Sequence, residues 1–154
     1  MSFSIEDHKS YIRVLYNMLD EHAIVEDLGT KVEKSRCDEV RVKQELKEVT
    51  RLFEFWKKKE ARWRKLAGTH GTLSYEDPVD FKFVELSHSS ALEVATDRRE
   101  RFESEMLDKE EELRDVLETL KSLEGRYLTA KRRFNVQREK AKQYGFVSAI
   151  PESQ

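Results

Sequence analysis

The chain has 154 residues, 39% of them charged and 38% apolar, with five glycines, two prolines and a formal net charge of −2. So few chain breakers among so many charges describe long helices with narrow apolar seams, and exclude a sizeable globular core. The near-cancelled charge argues against nucleic acid or an anionic membrane as the main partner, and no apolar run approaches the roughly 20 residues of a membrane span.

The start, MSFSIEDHKS, lacks the basic and apolar stretches of a signal peptide. With a single cysteine, Cys37, no intrachain disulfide can form, which fits a reducing, cytoplasmic setting, including one associated with the cytoskeleton.

Helix one is expected over about 5–67. Its beginning (Tyr11, Ile12, Val14, Leu15, Met18, Leu19) shows a wide apolar stripe that slips phase near His22, as if packing against more than one helix. From Val25, steps of three and four residues visit Leu28, Val32, Ser35, Glu39, Val42, Leu46, Val49, Phe53, Trp56, Glu60, Trp63 and Ala67; ten of these thirteen positions are apolar. A repeat of that length is the pattern of a coiled coil. Phe53, Trp56 and Trp63 lie on this seam, so the basic residues among them (Lys57, Lys58, Lys59, Arg62, Arg64, Lys65) form a solvated outer face. The alternative reading makes the aromatic and basic stretch 53–65 a face for nucleic acid or lipid headgroups.

A loop is expected over 68–77, with Gly68 stopping helix one. Asp77-Pro78-Val79-Asp80 reads as the start of helix two, which would run over 78–144. A second start signal at Ser90-Ala91-Leu92-Glu93 leaves 78–87 as a separate short helix or a kinked entry. From Leu92 the same stepping passes Ala95, Arg99, Phe102, Met106, Lys109, Leu113, Val116, Leu120, Leu123, Tyr127, Ala130, Phe134, Gln137, Ala141 and Tyr144; thirteen of sixteen positions are apolar or aromatic by this reading, in which Arg99 and Lys109 are the charged exceptions. Arg99 would face Phe55 and Trp56 and stack on them.

Charge favours folding the helices onto each other with residue i near residue 154 − i. Residues 31–65 carry 13 basic and 7 acidic side chains, and their mirror 89–123 carries 6 basic and 11 acidic. Residues 5–27 carry 2 basic and 6 acidic, and 127–149 carry 6 basic and 1 acidic. The same complementarity would serve pairing between chains. Gly29 and Gly125 fall at one level and mark an expected soft point.

The fold class is therefore all-α: one domain over 1–154, a long antiparallel coiled-coil helical hairpin, able to join a larger bundle with partner chains. Off the seam lie Val40, Leu52, Phe55 and Leu66 on helix one, and Val94, Leu107, Leu117, Leu128 and Val136 on helix two, more apolar side chains than a closed hairpin should leave bare. They imply a second layer: another hairpin of the same chain type, or helices of a different protein. Of these, Val40, Leu52, Phe55, Leu107, Leu117, Leu128 and Val136 are the candidate partner-binding residues, together with Phe146 in the tail 145–154. Phe146, Val147 and Ile150 either seal the helix end or form a docking peptide.

No chemistry stands out. Cys37 has no histidine partner in a recognisable pattern, and His8, His22, His70 and His88 form no metal-ligand spacing. Glu110-Glu111-Glu112 is a solvated helix face, and GTHG lacks the ending of a phosphate loop. We expect no catalytic, metal or cofactor residues and no small-molecule ligand. The expected function is a non-enzymatic scaffold subunit in a cytoskeletal or trafficking complex, with other helical proteins or itself as partner. At the level of fold alone it resembles the coiled-coil hairpins used as stalks, tethers and complex subunits.

Overall fold

The computed structural model describes residues 5–144. Helix α1 (Ile5–Arg64) is followed by strands β1 (Thr72–Glu76) and β2 (Phe83–Ser87) and by helix α2 (His88–Lys142). The two helices pack against each other and contribute to two compact units, one from 5–38 with 116–144 and the other from 39–115.

In the first unit, low-numbered α1 residues meet high-numbered α2 residues. The Tyr11 and Tyr144 rings lie 5.5 Å apart, His22 and Phe134 lie 5.2 Å apart, and Arg36 pairs with Glu124 at 3.3 Å. Met18, Phe134 and Ala141 form its buried centre. The inward positions keep one phase from Tyr11 through Met18 and Val25 to Leu28 and Val32. The slip expected near His22 is thus absent: polar Glu21 and His22, both half-buried, stand on the seam and hide its continuity in the sequence. The extra apolar residues that widened the stripe, Ile12 and Leu19, are exposed.

Both helices run unbroken through Gly29 and Gly125. A Cβ at Gly125 would meet no atom within 4 Å, while one at Gly29 would touch the Tyr127 ring at 3.4 Å. Gly125→Ala should therefore raise stability by nearly the full helix-propensity difference, about 0.8–1.0 kcal/mol, in thermal or chemical denaturation. An unchanged or lower midpoint would show that this position is not simply an open helical site.

In the second unit a seam runs through Val42, Phe53, Trp56, Glu60 and Trp63 on α1 and through Ala91, Ala95 and Phe102 on α2, all buried. Here the chain departs from the all-α expectation. Residues 78–87 do not begin helix two; β1 and β2 pair antiparallel, with Leu73 opposite Leu86 and Tyr75 opposite Val84. Those four side chains share the inward face, and Thr72, Ser74, Phe83 and Glu85 the outward one. The alternation of TLSYE and FVELS is the period of a half-buried strand.

The Asp77-Pro78 signal is real but closes a turn instead of opening a helix. The Asp77 carboxylate accepts the N–H groups of Val79 (2.8 Å) and Asp80 (3.3 Å), as an N-cap would. The Asp77 N–H donates to the Lys82 carbonyl, and the Phe81 N–H to the Asp77 carbonyl. Helix two starts later, at His88, with the Ser87 hydroxyl accepting the Ser90 N–H; Ser87, not Ser90, is the cap.

Helix α1 ends at Arg64, three residues before the expected 67, and the turns after it lead to Gly68, whose φ of +82° suits a left-handed stop. Gly71 (φ +149°) is needed for close approach, since a Cβ there would sit 2.9 Å from the His88 ring. The Thr69 hydroxyl and His88 Nδ1 lie 2.8 Å apart, and the His88 N–H donates to the Gly71 carbonyl, tying the connection to the start of α2.

Phe81 closes the hairpin loop with φ +59° and a ring that is 67% exposed. A left-handed conformation costs an L-residue about 1–2 kcal/mol, and asparagine tolerates it better. With little packing to lose, Phe81→Asn should stabilise the chain by about 0.5–1 kcal/mol. Denaturation midpoints check this; a clear loss would mean that the exposed ring contributes contacts.

Candidate interaction site

The aromatic stretch of α1 is chiefly core. Trp56 stands edge-on to Phe55 (5.0 Å), Tyr75 (5.5 Å) and Trp63 (6.4 Å), and Trp63 lies 5.2 Å from Tyr75. The hairpin strands join this cluster beside the loop. Tyr75, Leu73, Val84 and Leu86 of the hairpin pack on the tryptophans, whereas Phe81 and Phe83 point to solvent.

The hairpin also changes the reading of the off-seam residues. Leu52 is buried, and Phe55, Leu66 and Val94 are half-buried against the same cluster. In this unit the second layer implied by the sequence is therefore the chain's own hairpin, and Leu52 offers no free surface. Of the remaining candidates here, Val40 and Leu107 are both more than half exposed.

Arg99 does not stack on Phe55 and Trp56. Its Nε donates to Glu60 at 2.8 Å and its Nη1 to Glu103 at 2.8 Å, and these two carboxylates hold the guanidinium firmly charged. Lysines supply the cation–π contacts: Lys57 over Phe53 (5.7 Å), and Lys59 over Phe55 (5.4 Å) and Trp63 (5.7 Å). Burial and the nearby Arg62 push the Lys59 ammonium below its ordinary range.

The charge pairing between helices follows the bulk charge only in part: Arg36–Glu124 and Arg41–Glu112 run with it, and other pairs run against it. Arg41 pairs with Glu112 at 3.5 Å, but Glu45 meets Lys109, and Glu60 meets Arg99, with the acid on α1 and the base on α2. Lys109 and then Arg41 hold the Glu45 carboxyl below the usual range, while Glu45 and then Glu112 hold the Lys109 ammonium above its own. The basic outer face of α1 does not turn towards α2. Arg51, Glu54, Phe55, Lys58, Lys59 and Arg62 line an open groove of about 580 Å³ on the outside of α1. Arg51 at its edge bonds Glu48 and the Pro78 carbonyl.

In the first unit Leu128 and Val136 are more than half exposed and Leu117 is 40% exposed. On α1, Ile5, Ile12 and Leu19 recur every seven residues, with Tyr16 between them, and all four are exposed. This second stripe lies one residue beyond the inner seam (Tyr11, Leu15, Met18); its heptad spacing was available in the sequence but merged with the inner stripe. Ile24, Leu28, Gly125 and Ala130 form part of a groove of about 890 Å³, flanked by Lys121, Arg126 and Arg133. Phe146 lies outside the described residues.

Cys37 is exposed. Among the described residues no group of His, Cys, Asp or Glu could hold a metal ion, and no helix is long and apolar enough to cross a membrane. No protein-family model, curated protein or solved structure matches the chain.

Proposed function

We propose that the chain is a non-enzymatic coiled-coil hairpin subunit that assembles with other helical chains, as a structural member of a cytoskeletal or trafficking complex in the cytoplasm. The reading rests on one observation above the others: the exposed stripe Ile5, Ile12, Tyr16 and Leu19, which keeps heptad spacing on the outside of a helix whose inner seam is already filled. A helix with a second apolar stripe has room for a second helical neighbour. Leu117, Leu128 and Val136 extend the apolar surface offered by this unit, and Val40 and Leu107 do so in the other.

The experiment is photo-cross-linking in the cell from a reactive residue placed at Tyr16 of the full chain. Adducts to helical proteins, lost when Ile12 and Leu19 become glutamate while the far-ultraviolet spectrum is unchanged, support the reading. A chain that yields no protein adduct from this position overturns it.

A further inference from the structure

The outer faces of the second unit carry opposite charge. On α1, Arg51, Phe55, Lys58, Arg62 and Lys65 follow one another at steps of four and three residues, and Lys59 lies beside them. On α2, Asp97, Arg101, Ser104, Leu107, Asp108, Glu111 and Asp115 form the corresponding outward stripe; Arg101 is paired with Glu105 at 3.3 Å, the other charges are acidic, and Leu107 at the middle is 54% exposed. Each stripe stands two residues from its own inner seam, so each points away from the partner helix. Lys58, Arg62, Lys65, Asp97, Asp108, Glu111 and Asp115 are exposed and have no ion-pair partner among the described residues. Arg41–Glu112 matches the bulk charge within one chain, but Glu45–Lys109 and Glu60–Arg99 run the other way, and these outer charges are left facing outward.

We propose that the second unit self-associates, with the basic groove of α1 on one copy receiving the acidic, Leu107-centred stripe of α2 on the next. The proposal rests on the assembly reading above but uses a different face. Phe55 in the groove supplies an apolar floor that Leu107 can meet, and the unpaired Lys58 and Arg62 flank it. Burial has already pushed the Lys59 ammonium down, and an acidic stripe brought against it would relieve that. The two complementary stripes lie on different helices of one chain, so the contact is heterologous: each copy that joins presents a fresh basic face and a fresh acidic face. Ion pairs at the rim set register and direction, and they make the association sensitive to salt.

The test is sedimentation equilibrium of the full chain at 20–50 mM and at about 500 mM salt, where the screening length falls to a few ångströms. Wild type should self-associate in low salt and weaken about tenfold or more in high salt. Two charge-reversed variants, Lys58→Glu with Arg62→Glu and Asp108→Lys with Glu111→Lys, should each be monomeric alone under low salt. Mixed in equal amounts they should associate again, because every contact between unlike variants is complementary. Lys58→Gln with Arg62→Gln, which removes charge without adding repulsion, should weaken the wild-type association by a smaller factor and guards against misfolding of the reversed variant. A wild type that stays monomeric in low salt, or reversed variants that do not recover on mixing, overturns the proposal. So does binding of duplex DNA or anionic vesicles at the basic groove that outcompetes self-association. The Tyr16 cross-link reads a different stripe, so loss of one result leaves the other standing.

Discussion

Trp56→Ala should lower the stability of the chain by about 3–5 kcal/mol, the range for removing a large aromatic from a filled core. The side chain is 2% exposed and touches three other rings. Its loss removes transfer energy and leaves a hole between α1 and the hairpin, which a two-stranded sheet has little means to close. The damage should be felt at Tyr75, whose stacking on Trp63 alone remains. A two-stranded hairpin is marginal by itself, so the strands should detach before the helices melt. Amide exchange should therefore show Leu73, Tyr75, Val84 and Leu86 opening in the variant while the α2 amides near Leu120 stay protected. Phe55→Ala should cost less, about 1 kcal/mol, since that ring is only half-buried against the cluster. Equal losses for the two substitutions, or a loss at Trp56 under about 1 kcal/mol, would show that the hairpin is not held by this cluster.

The helix seams were legible because they repeat. Every position from Val25 to Trp63 on the stepped path is buried or half-buried, including polar Ser35 and Glu60, as are all those from Leu92 to Tyr144. The hairpin was not legible, for a local reason. Asp77 followed by Pro78 satisfies the same backbone donors in a turn as at a helix start, so the capping signal cannot tell the two apart. The decisive cue was the alternation on either side, Leu73 and Tyr75 before the turn and Val84 and Leu86 after it. Missing it sent Leu52, Leu66 and Val94 to the outer surface, when they pack into the same cluster as the hairpin, and left Phe55 wholly outside when it is shared between that cluster and the outer groove. Charge counts give the direction of Arg36–Glu124 and Arg41–Glu112 but hide that of two other pairs, since counts over segments do not reveal which side chains reach the seam. Glu45 and Glu60 reach it from the basic helix, and Lys109 and Arg99 from the acidic one.

Removing one partner of the Glu60–Arg99 pair should cost more than any exposed ion pair in the chain. Glu60 is 9% exposed and sits on the seam between Trp56 and Trp63. Its carboxylate accepts from Arg99 at 2.8 Å and from Arg64 at 3.0 Å. The two partners are not equivalent. Without Glu60, the Arg99 guanidinium keeps Glu103 at 2.8 Å and Glu100 at 3.6 Å. Without Arg99, the buried carboxylate keeps only Arg64, a largely exposed side chain. Arg99→Leu should therefore destabilise the chain by about 2–3 kcal/mol, between the roughly 1 kcal/mol ceiling of surface pairs and the 3–5 of fully buried ones. Glu60→Leu should cost less. The double replacement should recover most of the loss, because two leucines complete an apolar seam and leave no charge stranded. Denaturant titration of the four proteins closes the cycle, with a coupling of at least about 1 kcal/mol expected. Additive losses would show that the two groups do not act as a unit, and a larger loss for Glu60→Leu than for Arg99→Leu would reverse the assignment of which charge depends on the other.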